Sequence, residues 1–433
     1  MFDSEEQLVT KNQPVRVALA TFGCKLNQAE SELIARQFAG IGYEIVPPDD
    51  EADVYILNTC TVTHTADSKA RKWLRAARKH APGALLIACG CYAERAAGEL
   101  TKATGTITAG NETKADLPRL VSQQLGRYPG KNREISHPAT NGRRNRSLVK
   151  IQDGCQNFCS YCIVPFVRRR EISVAPEILL GEIARRVEEG CREVVLTGTR
   201  IGAYSSNGTY LADLVRRILA ETAITRLRIS SLQPQEISEE LLDLWDNPRL
   251  CRHFHLALQS GSDSVLKRMR RRYSTGDYQH ALDLIRGIIP MTAITTDIIV
   301  GFPGETETEF ETSYRFARQS GFARIHVFPY SPRQGTAAAD MENQIAGMTK
   351  NARRQKMLAL ASKSRSSFCQ QFLGKIADVL WEQPDGGIWS GLTDNYIKVY
   401  TESREDLSNQ IRPVKLMEIY GDGLWGEVSS PSA

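Results

Sequence analysis

No apolar run in this 433-residue chain reaches the roughly eighteen residues that a membrane-spanning helix requires. No membrane role is therefore expected. The opening MFDSEEQ is acidic rather than basic-then-apolar, so it does not read as a secretory signal. An excess of either charge is also lacking, with a net charge of only +5. These absences suggest a cytoplasmic protein, in a compartment where thiols stay reduced. Ten cysteines there read as metal ligands before disulfides. The chain is too long for one ordinary domain, and two or three are expected, each able to bury a core.

The small net charge is unevenly spread. From Gln370 to Ala433 five Lys/Arg stand against ten Asp/Glu, so the remainder is net positive by ten. Basic residues gather at Arg143, Arg144 and Arg146, at Arg168 to Arg170, and at Lys267 to Arg272. Such clusters suit a phosphate-rich partner, although a single cluster equally describes a solvated face.

Strand-like and helix-like patterns alternate along most of the sequence. VRVALATFG (Val15 to Gly23), DVYILNTC (Asp53 to Cys60) and ALLIACG (Ala84 to Gly90) read as buried strands with helices between them. That alternation predicts a doubly wound parallel sheet over residues 13–129. Residues 130–146 are polar, contain Pro and Gly, and read as a linker. From 147 to 369 six more strands follow: SLVKIQ, EVVLTG, RLRISS, FHLALQ, ITTDIIVG and ARIHVFPY. Six βα units in this length predict a partial TIM-like (βα)6 barrel, closed by a helix from about Lys350 to Cys369. Residues 370–433 show short alternating runs broken by Gly, Asp and Asn, which predicts a small antiparallel β-barrel.

The stretch GCQNFCSYC places Cys155, Cys159 and Cys162 on a loop after the first barrel strand. Barrel enzymes keep their chemistry at that end. Three thiolates from one loop can hold three corners of a cubane iron–sulfur cluster and leave the fourth iron open. Zinc, which more often takes separated CxxC pairs, and inert core cysteine are the competing readings. In the first region Cys24, Cys60 and Cys91 follow three strands. Carboxyl ends of parallel strands are where ligands collect. Cys89 competes with Cys91, and strand alternation does not decide between them.

The CxxxCxxC loop resembles the radical S-adenosylmethionine superfamily. GCKLN (Gly23 to Asn27), NTCTVT (Asn58 to Thr63) and GCYAE (Gly90 to Glu94) resemble the three cluster motifs of its methylthiotransferases. NTCTVTHTADSKARK, HLALQSGSDSVLKRMRRRYS, TDIIVGFPGETETEF, HVFPYSPRQGTAA and GLTDNYIKVY extend the likeness over nearly the whole chain. The first of these is similar to the subfamily acting on threonylcarbamoyladenosine in tRNA. Related specificities are isopentenyladenosine in tRNA and a ribosomal-protein aspartate, and a zinc-bearing RNA-binding protein is the non-enzymatic alternative.

The resemblance implies an N-terminal methylthiotransferase domain, a radical barrel and a C-terminal TRAM barrel. It implies two [4Fe-4S] clusters, an auxiliary one on Cys24, Cys60 and Cys91 and a second on Cys155, Cys159 and Cys162. It also implies two molecules of S-adenosylmethionine, one donating a methyl group and one cleaved reductively, with the methylthio group delivered to adenine C2. Implied partners are a tRNA anticodon loop, an electron donor such as flavodoxin or ferredoxin, and a sulfur source. Phe158 and Tyr161 either shape the cofactor's adenine pocket or shield the cluster. Gln259, Ser260 and Gly301 end barrel strands and are further candidate cofactor contacts. FVRRREISVAP after IVP, and Leu232-Gln233 after RISS, depart from the family pattern.

Overall fold

The computed structural model describes residues 14–126 and 145–428. Nearly all of the expected linker, with Arg143 and Arg144, lies outside them. The chain forms two compact units: one of residues up to 143 with Ile163–Arg169, the other of 144–162 with 170–433.

In the first unit five parallel strands carry helices on both faces. They are β1 (Arg16–Thr21), β2 (Glu44–Val46), β3 (Val54–Thr59), β4 (Leu85–Gly90) and β5 (Ile107–Ala109), in the order β2-β1-β3-β4-β5. Strand β3 is buried along its whole length, which explains its unbroken VYIL run. Helix α1 (Lys25–Gly40) packs Ile34 and Phe38 against Val17 and Ile56 on one face. On the other, α2 (His64–His80) and α3 (Cys91–Thr104) bury Ala70, Leu74, Tyr92 and Leu100 against Leu57 and Ala88. The Thr63 hydroxyl caps α2 by accepting the Ala66 N–H at 3.2 Å. The strand order reverses between β1 and β3, which creates a crevice at their carboxyl ends.

The second unit contains the six expected parallel strands: β6 (Arg146–Asp153), β7 (Glu193–Gly198), β8 (Arg226–Ile229), β9 (His253–Leu256), β10 (Ala293–Val300) and β11 (Arg324–Pro329). They pair in sequence order as two sheets, joined by a parallel bridge between Leu227 and Leu250. Helices cover one face with a single large core that includes Leu214, Tyr278, Phe310 and Phe322. A helix over Gly347–Gln370 follows, longer than the sequence suggested.

Five strands then form a closed barrel over Ile376–Val428. Its contacts fall on the amino ends of the large barrel's strands. There Glu193 and Arg228 form a fully buried ion pair at 2.8 Å, and Arg228 donates to the Thr393 and Asp394 carbonyls. Arg226 donates to the Leu392 and Asp378 carbonyls, and His253 stacks on Tyr396 at 4.3 Å. The acidic tail thus spends part of its charge internally: Asp394 pairs with Arg252, Asp422 with Arg324 and Glu382 with Arg146.

Candidate functional site

Two groups of three cysteines stand at carboxyl ends of parallel strands, one in each unit. In the first unit Cys24 leads into α1 after β1, Cys60 follows β3, and Cys91 opens α3 directly after β4. Cys89 lies inside β4, fully buried in the core of Val17, Ile87 and Leu117 on one face of the sheet. The turn between Gly90 and Cys91 requires glycine. Gly90 has φ +94°, and a Cβ there would come within 2.5 Å of the Asn58 side chain and the Thr59 carbonyl.

N–H donors surround these thiols. The Val62 N–H points at Cys60 Sγ (3.5 Å), and Asn111 Nδ2 lies 3.8 Å from Cys91 Sγ while also donating to the Val167 carbonyl. Arg168 Nε lies 3.4 Å from Cys91 Sγ. The same guanidinium grips Glu30 with two 2.8 Å bonds and reaches Asn27 Oδ1 at 3.2 Å. Lys114 closes the network on Glu30. Asn27 is itself fixed by donating to the Phe22 and Thr59 carbonyls, each at 3.0 Å. Desolvation by the surrounding protein pushes the Cys24 thiol up, although that residue keeps an exposed edge, and pushes the buried Cys60 to about 12; Cys91 raises Cys24 further, and Cys24 and Cys91 raise Cys60. The nearby N–H groups, and Arg168 at Cys24, act in the opposite direction. Three soft sulfur donors gathered at neighbouring strand tips, with N–H groups aimed at them, fit a metal group that displaces their protons on binding.

In the second unit Cys155, Cys159 and Cys162 lie on the loop after β6. Gly154 (φ +79°) starts it, and a Cβ there would sit 1.9 Å from the Arg170 carbonyl oxygen. The Gln152 amide donates to the carbonyls of residues 153 and 154. Ser160 donates to the carbonyls of Met269 and Arg268 and accepts from the Ala338 N–H at 2.7 Å. Arg271 Nη1 lies 3.3 Å from Cys159 Sγ, with its guanidinium 4.7 Å from the centre of the Tyr273 ring. Arg200 bonds Asn157 at 3.3 Å and Glu236 at 2.8 Å. Each cysteine group therefore has one arginine directed at a sulfur. This second donor set also fits a thiolate-held metal group.

The remaining candidates are dispersed around that loop. Phe158 has φ +47° and is half-exposed beside the cysteines. Tyr161 packs on Val265, Met269, Phe302 and Tyr330. Gln259 (φ +67°) bridges to the neighbouring strand through the Asp297 carbonyl and the Ile299 N–H, and Ser260 is fully buried. The Gly301 N–H donates to Glu305, which Arg353 holds at 2.9 Å. Burial lifts Glu305 to about 6 against the pull of that N–H and of Arg353.

The basic clusters divide rather than forming continuous phosphate-facing patches. Arg168 is buried on Glu30, whereas Arg169 and Arg170 are exposed. Arg271 reaches Cys159, whereas Lys267, Arg270 and Arg272 are exposed; Lys267, Arg271 and Arg272 line a hollow of about 370 Å³. Sequence reasoning missed the inward arginines because their partners, Glu30 and Cys159, lie 138 and 112 residues away. It also missed His255, Asp297 and His326, which sit close together on β9, β10 and β11. Strand alternation could have put each on the inner face of its own strand, but only the register, which the sequence does not show, brings them together.

The family match over the barrel and the relatives that span nearly the whole chain make this a radical S-adenosylmethionine enzyme. Residues 149–317 match the radical SAM superfamily, and residues 16–110 match the uncharacterized protein family UPF0004. The chain is 35% identical to the threonylcarbamoyladenosine tRNA methylthiotransferase MtaB of Bacillus subtilis (strain 168), over 93% of this chain and 94% of that protein. It is also 35% identical to the protein of that name from Thermotoga maritima, over 88% and 90% of the two chains. A tRNA-2-methylthio-N(6)-dimethylallyladenosine synthase of Endomicrobium trichonymphae is 32% identical, over 93% and 99%. Among solved structures, the radical S-adenosylmethionine methyltransferase TsrM of Kitasatospora setae shares the fold, with a TM-score of 0.57 at 15% identity over 75% of each chain. The chain belongs to the radical S-adenosylmethionine methylthiotransferase family. Among the described residues no helix is long and apolar enough to cross a membrane.

Proposed function

We propose that this enzyme methylthiolates C2 of N6-threonylcarbamoyladenosine at position 37 of tRNA. The observation that carries the reading is the doubled arrangement: three thiols at parallel-strand ends in each unit, each set with an arginine on one sulfur. Cys24, Cys60 and Cys91 would hold an auxiliary [4Fe-4S] cluster, and Cys155, Cys159 and Cys162 the cluster that works with S-adenosylmethionine. Bound there, these groups supply the electron and the radical chemistry that an adenine C–H demands, since no side-chain base removes that hydrogen near neutral pH.

The protein's own residues hold and shield. Arg271 and Arg168 orient one sulfur each and offset thiolate charge. Phe158 and Tyr161 keep apolar surface beside the second group, which limits water and tunes potential. Gln259, Ser260 and Gly301 supply polar and backbone atoms for the cofactor. The target base must leave its stack to be reached, which favours an anticodon loop over paired RNA. Exposed Lys267, Arg270 and Arg272 suit its phosphates. Two molecules of S-adenosylmethionine, a low-potential electron donor such as flavodoxin or ferredoxin, and a sulfur source complete the scheme.

The test is nucleoside mass spectrometry of tRNA from a strain lacking the protein. Loss of 2-methylthio-threonylcarbamoyladenosine, restored by the gene, supports the assignment. Loss of the isopentenyl derivative, or of ribosomal-protein methylthiolation, moves it to another member of the family.

A further inference from the structure

The turn after the short helix Asp263–Arg268 is tied to the cysteine loop at two points. The Ser160 N–H donates to the Met269 carbonyl at 3.0 Å, and the Ser160 hydroxyl to the Arg268 carbonyl at 2.8 Å. Arg270 then takes φ +56°, and the Arg271 N–H closes onto the Leu266 carbonyl at 2.9 Å. This reversal separates neighbours: Arg270 and Arg272 are exposed, whereas Arg271 turns toward the loop, its Nη1 3.3 Å from Cys159 Sγ. Arg271 Nε donates to the Tyr273 hydroxyl at 3.0 Å, and the guanidinium lies 4.7 Å from the ring centre. Tyr273 is buried, and its hydroxyl donates to the Leu258 carbonyl, just past β9, at 2.9 Å. The guanidinium is thus braced from the sheet while it reaches a ligand sulfur.

Its charge is the least compensated beside this loop. Among the described residues no carboxylate pairs with Arg271. Arg200, bonded to Asn157 of the same loop, is offset by Glu236 at 2.8 Å and Glu171 at 4.0 Å. Lys267, Arg270 and Arg272 are exposed, so water and salt screen them. A guanidinium stays charged in proteins. On a ligand sulfur it stabilises the more negative state of a bound cluster. One-electron reduction adds one negative charge, so such a cation, with its N–H on the sulfur, makes reduction easier.

We propose that Arg271, braced by Tyr273, raises the reduction potential of the cluster on Cys155, Cys159 and Cys162, a conclusion that rests on the cluster assignment above. It is a positioning residue that acts through the Cys159 sulfur. One electron passes from the low-potential donor to the cluster, and no proton moves because the guanidinium is protonated before and after. Arg271 thereby narrows the gap that the donor must bridge before S-adenosylmethionine is cleaved.

The test uses the anaerobically reconstituted full chain carrying Cys24→Ala, which leaves the second trio intact. Reduction is followed by electron paramagnetic resonance over a graded series of potentials. Arg271→Met and Arg271→Gln, matched to that background in iron content, lower the equilibrium constant for one-electron reduction about tenfold, a shift of about 59 mV. Arg271→Lys keeps the charge and stays within about threefold. Met and Gln variants within about twofold of the background overturn the tuning role while the cluster assignment stands. A Lys variant that falls as far as Met also overturns it, because shape rather than charge then governs. Variants that take up no iron overturn it in favour of a role in loading. A Cys24→Ala protein with no paramagnetic iron–sulfur signal on reduction overturns the cluster assignment itself.

Discussion

Replacing Arg168 by methionine tests the network beside Cys91. Arg168 and Glu30 are only 3% and 6% exposed, so the substitution strips a nearly buried carboxylate of two 2.8 Å charge-assisted bonds and leaves Lys114 as its cationic partner. Breaking a buried pair from one side costs about 3–5 kcal/mol, and the remaining lysine places this case near the lower end. At roughly 4 °C per kcal/mol for a domain of this size, the first unit should melt roughly 12 °C lower. Calorimetry on the apo-protein reads this without any bound group. Arg168→Lys retains charge but not the fork, and should lose about 1 kcal/mol. Iron content after reconstitution should fall in Arg168→Met, because the Cys91 sulfur loses its donor at 3.4 Å. An Arg168→Met variant that melts within about 2 °C of the parent and takes up full iron would refute the reasoning.

Further outcomes follow from the same geometry. Cys24→Ala should abolish methylthiolation while reductive cleavage of S-adenosylmethionine persists, as seen by product chromatography; normal product yield would remove Cys24 from the auxiliary site. Gly154→Ala places a Cβ 1.9 Å from the Arg170 oxygen in a left-handed backbone, and should cost about 2 kcal/mol or more in denaturant unfolding. Glu193 is a pH probe. Burial alone would raise its carboxyl, but Arg228, with Arg146 and Arg226, holds it below the usual glutamate range. A depressed folded value means that stability is present above the unfolded value and is lost as pH falls through the folded one. Unfolding free energy should therefore drop below about pH 4.5, and Glu193→Gln should be less stable at neutral pH with a flatter acid limb.

Much of the architecture was legible because each element carried its own period. β3 reads as VYIL because both its faces are covered, and the six barrel strands carry β-branched runs of the right length. The C-terminal barrel was legible from its short alternating runs and turn residues. Cysteine spacing singled out Cys155, Cys159 and Cys162 as candidates, and the GCYAE motif favoured Cys91 over Cys89; that Cys89 packs into the sheet core was not legible in the strand pattern alone. What stayed hidden was long-range. Nothing local in FVRRRE shows that Arg168 turns inward to Glu30 while Arg169 stays in solvent. The tail's net acidity did not reveal that Asp394 and Asp422 are matched to arginines at the large barrel's amino end. The His255, Asp297 and His326 group was invisible for the same reason, since register rather than spacing assembles it.

The central claim is that each cysteine trio holds its own cluster, and iron and acid-labile sulfide analysis of the anaerobically reconstituted protein tests it most directly. The account predicts about eight irons per parent chain, falling to about four in Cys24→Ala and to about four in Cys155→Ala. A parent that binds only about four, or a Cys24→Ala variant that keeps all eight, would contradict it.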